Sequence, residues 1–178
     1  VKISTFELEY LKELKITNDI NEHGKLDLVG VLTSSKGEED IYSTKENTPI
    51  DVYYTDEENK KKSIFYGVIS NIKIKVIQEV YYLYVEAYSF TYLMDIRKKS
   101  RSFQNTNMSS HDLIKEVMES YSKSDVLINI PNEPIGELVI QYEETDWEFI
   151  KRFASKYNQG ILPEIQVLNT KYHIGPSP

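Results

Sequence analysis

The stretch QYEETDWEFIKRFASKYNQG, residues 141–160, sets four carboxylates between positions 143 and 148, around the only tryptophan of the chain. Thr145 stands three residues before Glu148, the spacing of a capping box, in which each side chain binds a backbone N–H of the first helical turn. The apolar residues that follow recur at helical spacing: Phe149, Ile150, Phe153 and Tyr157. The stretch therefore predicts a helix near 145–158, with Gly160 ending it in the left-handed conformation.

The acidic cluster in this stretch has two interpretations. In the first, Asp146 and Glu148 belong to the helix start, where the helix dipole favours negative charge. In the second, Glu143 or Glu144 is a catalytic acid, since the carboxylate pairs of hydrolases assemble in space without a local signature. The capping spacing favours the first interpretation.

A second helix is predicted near 109–122. Its apolar residues, Ile114, Val117, Met118 and Tyr121, follow the pattern of one helical face, and Ser109 or Ser110 can cap its start. The first half of the chain differs, because from Leu14 to about Tyr92 the apolar residues alternate with polar ones, as in strands that bury one face.

The alternating region also contains turn signals. A break at Gln78-Glu79 separates two alternating runs and predicts a hairpin, and polar stretches at 21–24 and 56–62 predict two further turns. The fold class is therefore mainly β: an antiparallel β-barrel over residues 1–97, followed by a small α/β domain with two helices over residues 98–178.

One predicted strand is apolar on both faces. Leu26, Leu28 and Leu32 lie on one face, and Val29 and Val31 lie on the other. A sheet with one solvated face does not need this pattern, so we expect a second layer or another subunit to cover the outer face.

Composition excludes several classes of function. The 178 residues carry a formal charge of -7, which disfavours broad attraction to nucleic acid or an anionic membrane. The absence of cysteine removes disulfides, thiolate metal sites and cysteine nucleophiles, and fits a cytosolic origin. No apolar run approaches the length of a membrane span. The chain starts at Val1 and ends in Gly175-Pro176-Ser177-Pro178, so we expect it to be a fragment of a longer protein.

The search for catalytic and metal motifs gives little. His23, His111 and His173 lie far apart in sequence, so we expect surface or capping roles rather than metal ligation. No glycine-rich phosphate loop, nucleophile elbow or zinc-binding helix motif is present. We therefore predict no catalytic, cofactor-binding or metal-binding residue, and no cofactor.

Three further groups of residues have structural and functional interpretations. The lysines at 60–62 predict a solvated turn first and a nucleic-acid contact second. The basic residues at 97–101 predict a solvated linker rather than a phosphate site. Tyr82, Tyr84 and Tyr88 share one face of a strand, which indicates cross-strand packing first, a subunit contact second, and a sugar-stacking platform as the remaining alternative.

Two segments carry a resemblance to a known family: SRSFQNTNMSSHDLIKEVM, residues 100–118, and VIQYEETDWEFIKRFASKYNQGILPE, residues 139–164. They resemble the hub proteins of contractile phage tails and related injection systems, the late control D and VgrG group. The matching positions are Arg101, Phe103, Gln104, Gln141, Tyr142, Glu144, Thr145, Asp146, Phe149 and Arg152. Upstream, residues 16–32 and 64–70, including Gly67, resemble the first barrel of that family.

The resemblance implies a structural, non-enzymatic role. Residues 1–97 correspond to the first tube-type barrel of a baseplate hub, and residues 98–178 to the insertion-type domain that precedes a second barrel. In this family three chains form a ring with pseudo-sixfold symmetry that joins the hexameric tail tube to the trimeric spike. The implied partners are the other copies of a homotrimer together with tube and spike proteins, with neither nucleic acid nor membrane. The protein would be made in the bacterial cytoplasm and assembled into a phage tail or tail-like particle.

The chain departs from the family in stopping where the second barrel should begin, so one copy does not supply both barrels of the ring. An alternative function is a peptidoglycan hydrolase or a glycan-binding module of a tail protein. A hydrolase requires two carboxylates converging in a cleft, and a glycan-binding module requires exposed tyrosine rings.

Overall fold

A computed structural model of the chain describes residues 2–4, 6–33 and 47–176. Residues 34–46, within the region of predicted strands, and the end of the predicted turn-rich terminus at 177–178 lie outside the described residues. The first half contains β1 (Lys2–Ile3), β2 (Leu8–Thr17), β3 (Lys25–Leu32), β4 (Pro49–Thr55), β5 (Lys61–Ile77) and β6 (Val80–Ser89).

These strands form one antiparallel sheet in the order β1-β4-β5-β6-β3-β2. The sheet curls into a half-barrel, and the predicted fold class, mainly β with a small α/β portion containing two helices, is confirmed. Alternation explains the buried face, since Leu26 and Leu28 of β3 lie opposite Ala87 and Val85 of β6 and are almost fully buried.

The predicted hairpin joins β5 and β6. Ile77 pairs with Val80, and the two residues between them, Gln78 and Glu79, both have positive φ, 49° and 65°. Two such residues in succession give the turn whose twist matches the twist of paired strands. The predicted turns at 21–24 and 56–62 also connect strands, β2 to β3 and β4 to β5.

The second half begins with a short 3-10 helix (Phe90–Met94). It continues with β7 (Lys98–Phe103), α1 (Ser110–Met118), β8 (Asp125–Ile128), β9 (Val139–Thr145), α2 (Asp146–Ser155), β10 (Ile161–Pro163) and β11 (Lys171–Ile174). β7 pairs with β9, and β10, β11 and β8 form a three-stranded sheet in which β11 and β8 run parallel. No helix among the described residues has the length and apolarity that a membrane span requires.

The chain divides into two compact units. Unit 1 comprises residues 1–18, 24–90 and 165–168, and unit 2 comprises residues 19–23, 91–164 and 169–178. The predicted division at residue 97 is a single cut, whereas each unit here receives a segment from the other half of the sequence. The segment 165–168 belongs to unit 1 because Ile165 packs against its core and accepts a hydrogen bond from the Tyr66 backbone.

The core of unit 2 surrounds both helices. Its largest fully buried side chains are Trp147, Phe149, Phe153 and Tyr172. Both helices end earlier than the sequence pattern indicates, at Met118 and Ser155. The predicted role of Gly160 is wrong, because Asn158, with a φ of 53°, is the left-handed residue after α2. Gly160 instead lies against residue 20: a Cβ there would be 2.4 Å from Ile20 Cγ2.

Gly67 allows close approach of two backbones within unit 1. A Cβ at this position would lie 2.1 Å from the carbonyl oxygen of Tyr88, in the neighbouring strand, where paired backbone cannot move aside. Gly30, in β3, provides a matched control, since a Cβ there would meet only the flexible end of Leu8, at 2.7 Å.

We predict that Gly67→Ala lowers the free energy of unfolding of unit 1 by about 2–3 kcal/mol, within the range of overpacking, and that Gly30→Ala lowers it by less than about 1 kcal/mol. Urea denaturation followed by far-UV circular dichroism measures both. Equal losses in the two variants would contradict the backbone clash.

Candidate functional site

The start of α2 has the predicted capping box. The Thr145 hydroxyl accepts a hydrogen bond from the Glu148 backbone N–H (3.1 Å), and a Glu148 carboxylate oxygen accepts one from the Thr145 backbone N–H (2.9 Å). α1 is capped in a related way, with Ser109, rather than Ser110, accepting from the Asp112 backbone. The first interpretation of the acidic stretch therefore holds for Glu148.

Asp146, the first residue of α2, is completely buried and holds a cluster of four donors. Lys99 Nζ and the Tyr121 hydroxyl each donate to Oδ2 at 2.6 Å. Arg101 donates to Oδ1 at 2.5 Å, and Gln141 Nε2 donates to the same oxygen at 3.0 Å. The Gln141 carbonyl oxygen in turn accepts from Arg101 Nε at 2.7 Å. We call these five residues the Asp146 cluster.

The environment of the Asp146 cluster stabilises the charged carboxylate. Burial alone would raise the pKa of Asp146, but hydrogen bonds from Lys99, Tyr121 and Gln141 and the charge of Arg101 lower it below its ordinary value. Burial and the same hydrogen bond raise the pKa of Tyr121. The stabilisation is therefore present above the ordinary Asp pKa and is lost as the pH falls through the lowered one.

The Asp146 cluster corrects the prediction that residues 97–101 form a solvated linker. Lys99, Arg101 and Phe103 belong to β7, and only Phe103 is fully buried, while both basic side chains are about one quarter exposed. A signal was available in the sequence, since residues two apart in a strand share a face, and Phe103 marks this face as the inner one. Without an expected strand at 98–103, this periodicity goes unnoticed.

The chemistry available to the Asp146 cluster is structural. Both carboxylate oxygens accept two donors each, and the side chain has no access to solvent or substrate. A carboxylate with a lowered pKa and no open approach does not act as a general acid or base near neutral pH. The cluster instead joins β7, β9, α2 and the turn after α1 at one point.

His23 forms a second polar group in unit 2 that resembles a catalytic triad. Its Nδ1 lies 3.0 Å from Thr91 Oγ1, and its Nε2 lies 3.3 Å from Asp95 Oδ2. The ring packs on Trp147, with 4.4 Å between ring centres. Thr91 is only 1% exposed, so its hydroxyl is unavailable as a nucleophile for a substrate. The predicted surface or capping role of His23 is thus replaced by packing inside unit 2.

Glu143 and Glu144, the candidate catalytic acids of the sequence, have separate partners. Glu144 forms a two-point ion pair with Arg152, at 2.7 and 2.8 Å. Glu143 is exposed in a left-handed conformation, with a φ of 50°, and its backbone N–H donates to Ser100 Oγ at 3.2 Å. Neither residue lines either of the two described pockets. The structure therefore does not bring them together in a cleft.

The other two histidines lie in unit 2 with different partners. The His111 ring nitrogen Nε2 lies 2.9 Å from the Ile130 carbonyl oxygen, and His173 Nε2 lies 2.6 Å from Glu164 Oε1. Among the described residues, no three His, Cys, Asp or Glu side chains come close enough to hold a metal ion.

The tyrosine face of β6 lies half-buried on the outer side of the sheet in unit 1. Lys12 Nζ lies over the ring of Tyr82 and Lys75 Nζ over that of Tyr84, each 4.9 Å from the ring centre. The nearby groove, about 360 Å³ in volume, is lined by carboxylates and lysines as well as Tyr84. The two rings are therefore already covered by lysines, which disfavours the sugar-stacking alternative.

An exposed apolar stripe lies along β9 and the residue before it. We call Leu138, Ile140 and Tyr142 the β9 stripe; they are 54%, 48% and 73% exposed and alternate with the buried Val139 and Gln141. A row of large apolar side chains at this exposure is typical of a protein contact surface rather than of a solvated strand.

Comparison with protein families gives one match. The model described as the Alg8 N-terminal domain matches residues 40–169. No curated protein sequence matches the chain significantly.

Solved structures with the same fold come from phage tails and secretion systems. A tail protein from Neisseria meningitidis MC58 aligns over 99% of this chain and 52% of its own, with a TM-score of 0.68 and 14% identity. The E. coli c3393 protein, a type VI secretion component described as similar to T4 tail proteins gp27 and gp5, aligns over 97% of this chain and 49% of its own, with a TM-score of 0.60 and 15% identity.

A third similar structure is that of the Francisella PdpA–VgrG complex, which aligns over 94% of this chain and 27% of the matched chain, with a TM-score of 0.57 and 14% identity. The chain thus spans about half the length, or less, of the structures it matches. At these identities the likeness shows the fold: that of phage tail and type VI secretion proteins.

We predict that Asp146→Asn lowers the free energy of unfolding by about 2–3 kcal/mol. The amide leaves Lys99 and Arg101 without a counter-charge and presents N–H groups where acceptors are needed, and partial solvent access to both cations keeps the loss below that of a fully buried pair. Glu144→Gln, which removes the half-exposed pair with Arg152, should cost less than about 1 kcal/mol.

Urea denaturation of both variants, followed by Trp147 fluorescence, tests the difference. The cluster would lose its structural role if Asp146→Asn were no more destabilising than Glu144→Gln.

Proposed function

The chain belongs to the Alg8 N-terminal domain family, and we propose that it is a structural segment of a hub protein in a phage tail or a related contractile injection particle. The observation that supports this proposal most is the fold: solved structures of tail and type VI secretion proteins align over almost all of this chain. In the proposed role the full-length protein is a homotrimeric baseplate hub that joins the hexameric tube to the trimeric spike.

The sheet of unit 1 supports a role in a wall built from several chains. β1 and β2 lie at its two ends, and neither has a second strand partner among the described residues. Backbone groups at a sheet edge pair readily with another chain, and the ten-residue β2 is long for an uncovered edge. Neighbouring copies placed along these edges would continue the sheet from one chain to the next.

The chemistry of the described residues supports a non-enzymatic role. The buried carboxylate of Asp146 is saturated with donors, Thr91 beside His23 is inaccessible, and the two candidate acids, Glu143 and Glu144, do not share a cleft. None of these observations favours the hydrolase alternative. The proposed partners are therefore proteins of the particle, with assembly as the function.

We predict that the full-length protein containing this segment forms a trimer, and that the 178-residue chain alone is monomeric or weakly associated. Ring closure requires contacts contributed by the remainder of the protein as well as by this segment. Light scattering coupled to size exclusion measures both molar masses. A full-length protein that stays monomeric at high concentration would rule out the trimeric hub and redirect attention to glycan binding.

We further predict that the β9 stripe contacts a neighbouring protein of the particle. Replacing Ile140 and Tyr142 by serine should weaken assembly of the full-length protein into particles while leaving the melting temperature of the isolated chain nearly unchanged, because both side chains are exposed. Leu168→Ser, at an equally exposed apolar residue of unit 1, is the matched control.

Particle yield and incorporation, measured by electron microscopy and immunoblotting, provide the readout. Normal incorporation of the Ile140 and Tyr142 variant, or an equal loss with Leu168→Ser, would remove the β9 stripe from the interface.

A further inference from the structure

The connection between β2 and β3, residues 19–23, is held within unit 2 at two points. At the first, the Asn21 backbone N–H donates to the Ile161 carbonyl at 2.7 Å, and Asn21 Oδ1 accepts from the Ile161 N–H at 3.0 Å. Neither group titrates between acidic and neutral pH. The second point is His23, which, among the contacts of this connection given for the described residues, is the one whose side chain can change charge near neutral pH.

Aromatic rings enclose the His23 side chain. Trp147 lies against one face, at 4.4 Å between ring centres and an interplanar angle of 35°, and Tyr92 meets the ring edge-on at 5.8 Å. The His23 side chain is 10% exposed. A positive charge at this position would therefore be largely removed from water.

The hydrogen bonds of His23 suit the neutral ring. The Asp95 carboxylate only accepts, so Nε2 carries the proton, and Nδ1 then accepts from the Thr91 hydroxyl. The other Asp95 oxygen already accepts a hydrogen bond from the Thr145 hydroxyl. Both ring nitrogens of neutral His23 thus have hydrogen-bond partners. A second proton, at Nδ1, would require the Thr91 hydroxyl to accept a hydrogen bond from the ring instead of donating one.

The charges that face His23 act in opposite directions. Asp95 and Glu22 favour a protonated ring, whereas Lys151 disfavours it. The contact with Asp95, at 3.3 Å, is longer than a typical charge-assisted hydrogen bond. Burial is the largest influence, and the pKa of His23 lies below its ordinary value of 6.5 despite Asp95.

We propose that His23 is a pH-sensitive latch: the neutral ring holds the connection 19–23 against Trp147, and protonation releases the ring while Asn21 stays bound to Ile161. The sign follows from linkage, because a released, solvated histidine binds a proton more readily than the enclosed one. The latch is closed above pH 6.5, where both forms are neutral, and opens as the pH falls below this value. This proposal stands independently of the function in a tail particle.

Trp147 is the only tryptophan, so its fluorescence reports on the position of the His23 ring. The experiment follows emission and acrylamide quenching of the 178-residue chain from about pH 8 to about pH 5, the range in which histidine titrates. We expect quenching by acrylamide to rise along a sigmoidal curve with a midpoint below 6.5, while far-UV circular dichroism stays constant. Lys151→Gln should move the midpoint of release to lower pH, because losing this positive charge makes protonation of the enclosed ring less unfavourable and so weakens the linkage that opens the latch.

His23→Gln should abolish the sigmoidal transition in acrylamide quenching. Should that variant not fold, two-dimensional ¹H–¹⁵N spectra of the His23 ring in the unmodified chain provide a second test: the titration of the ring should have the same midpoint as the quenching. Three outcomes would overturn the latch. The emission could change without added acrylamide access, which means that His23 protonates in place. The transition could survive in His23→Gln. Finally, the circular dichroism could change in parallel, which means that unit 2 unfolds as a whole.

Discussion

The buried negative charge of Asp146 is the constraint on which the architecture of unit 2 depends. A carboxylate without access to water is strongly destabilising unless its oxygens are saturated with donors, and four side chains fulfil this requirement. Those donors come from β7, β9 and the turn after α1. Because all of them must reach one side chain at the start of α2, the Asp146 cluster fixes the relative position of these elements more specifically than apolar packing alone.

The cap of α2 links the helix start to a second set of polar side chains. Thr145 caps the helix with its hydroxyl as acceptor and, as donor, binds Asp95, which in turn contacts His23. Hydrogen bonds within unit 2 thereby link the start of α2 to residues 19–23, the segment between β2 and β3. The apolar side, with Phe149 and Phe153, packs in the core. Helix α2 is therefore fixed by charge and hydrogen bonds at its start and by burial along its length.

Sequence patterns predict those parts of this structure that adjacent residues encode. The capping box at Thr145 and the hairpin turn at Gln78-Glu79 follow from residues at most three positions apart. The Asp146 cluster was missed because its cations lie more than forty positions upstream, in a strand whose basic composition indicates a linker. Even so, Arg101, Gln141 and Asp146 are among the residues that carry the family resemblance. The resemblance therefore identified these residues, and the fold shows that they are hydrogen-bonded to one another.

The wrong role predicted for Gly160 has a different origin, and the residues that make up each unit are determined in a similar way. Gly160 and Asn158 are both compatible with a left-handed conformation, and local sequence does not decide between them; Gly160 is used where Ile20 approaches the backbone. Likewise, nothing in residues 165–168 indicates that they belong with the first half of the chain. Long-range packing determines both which residue is left-handed after α2 and which unit contains residues 165–168. Patterns within a single sequence do not predict such packing.

The distribution of neutralised charges and exposed apolar side chains bears on the function proposed for the chain. Among the described residues, the charges of the Asp146 cluster are neutralised by one another, and the β9 stripe leaves three large apolar side chains exposed. The proposed assembly function requires no reactive polar group in a cleft, whereas an active site does. The fold is similar to that of tail and secretion proteins at 14–15% identity, so the fold is what these proteins share with the chain. A function that depends on the shape of a sheet and on its edges can tolerate such divergence, because backbone pairing and buried volume, rather than a fixed set of reactive groups, are what it requires.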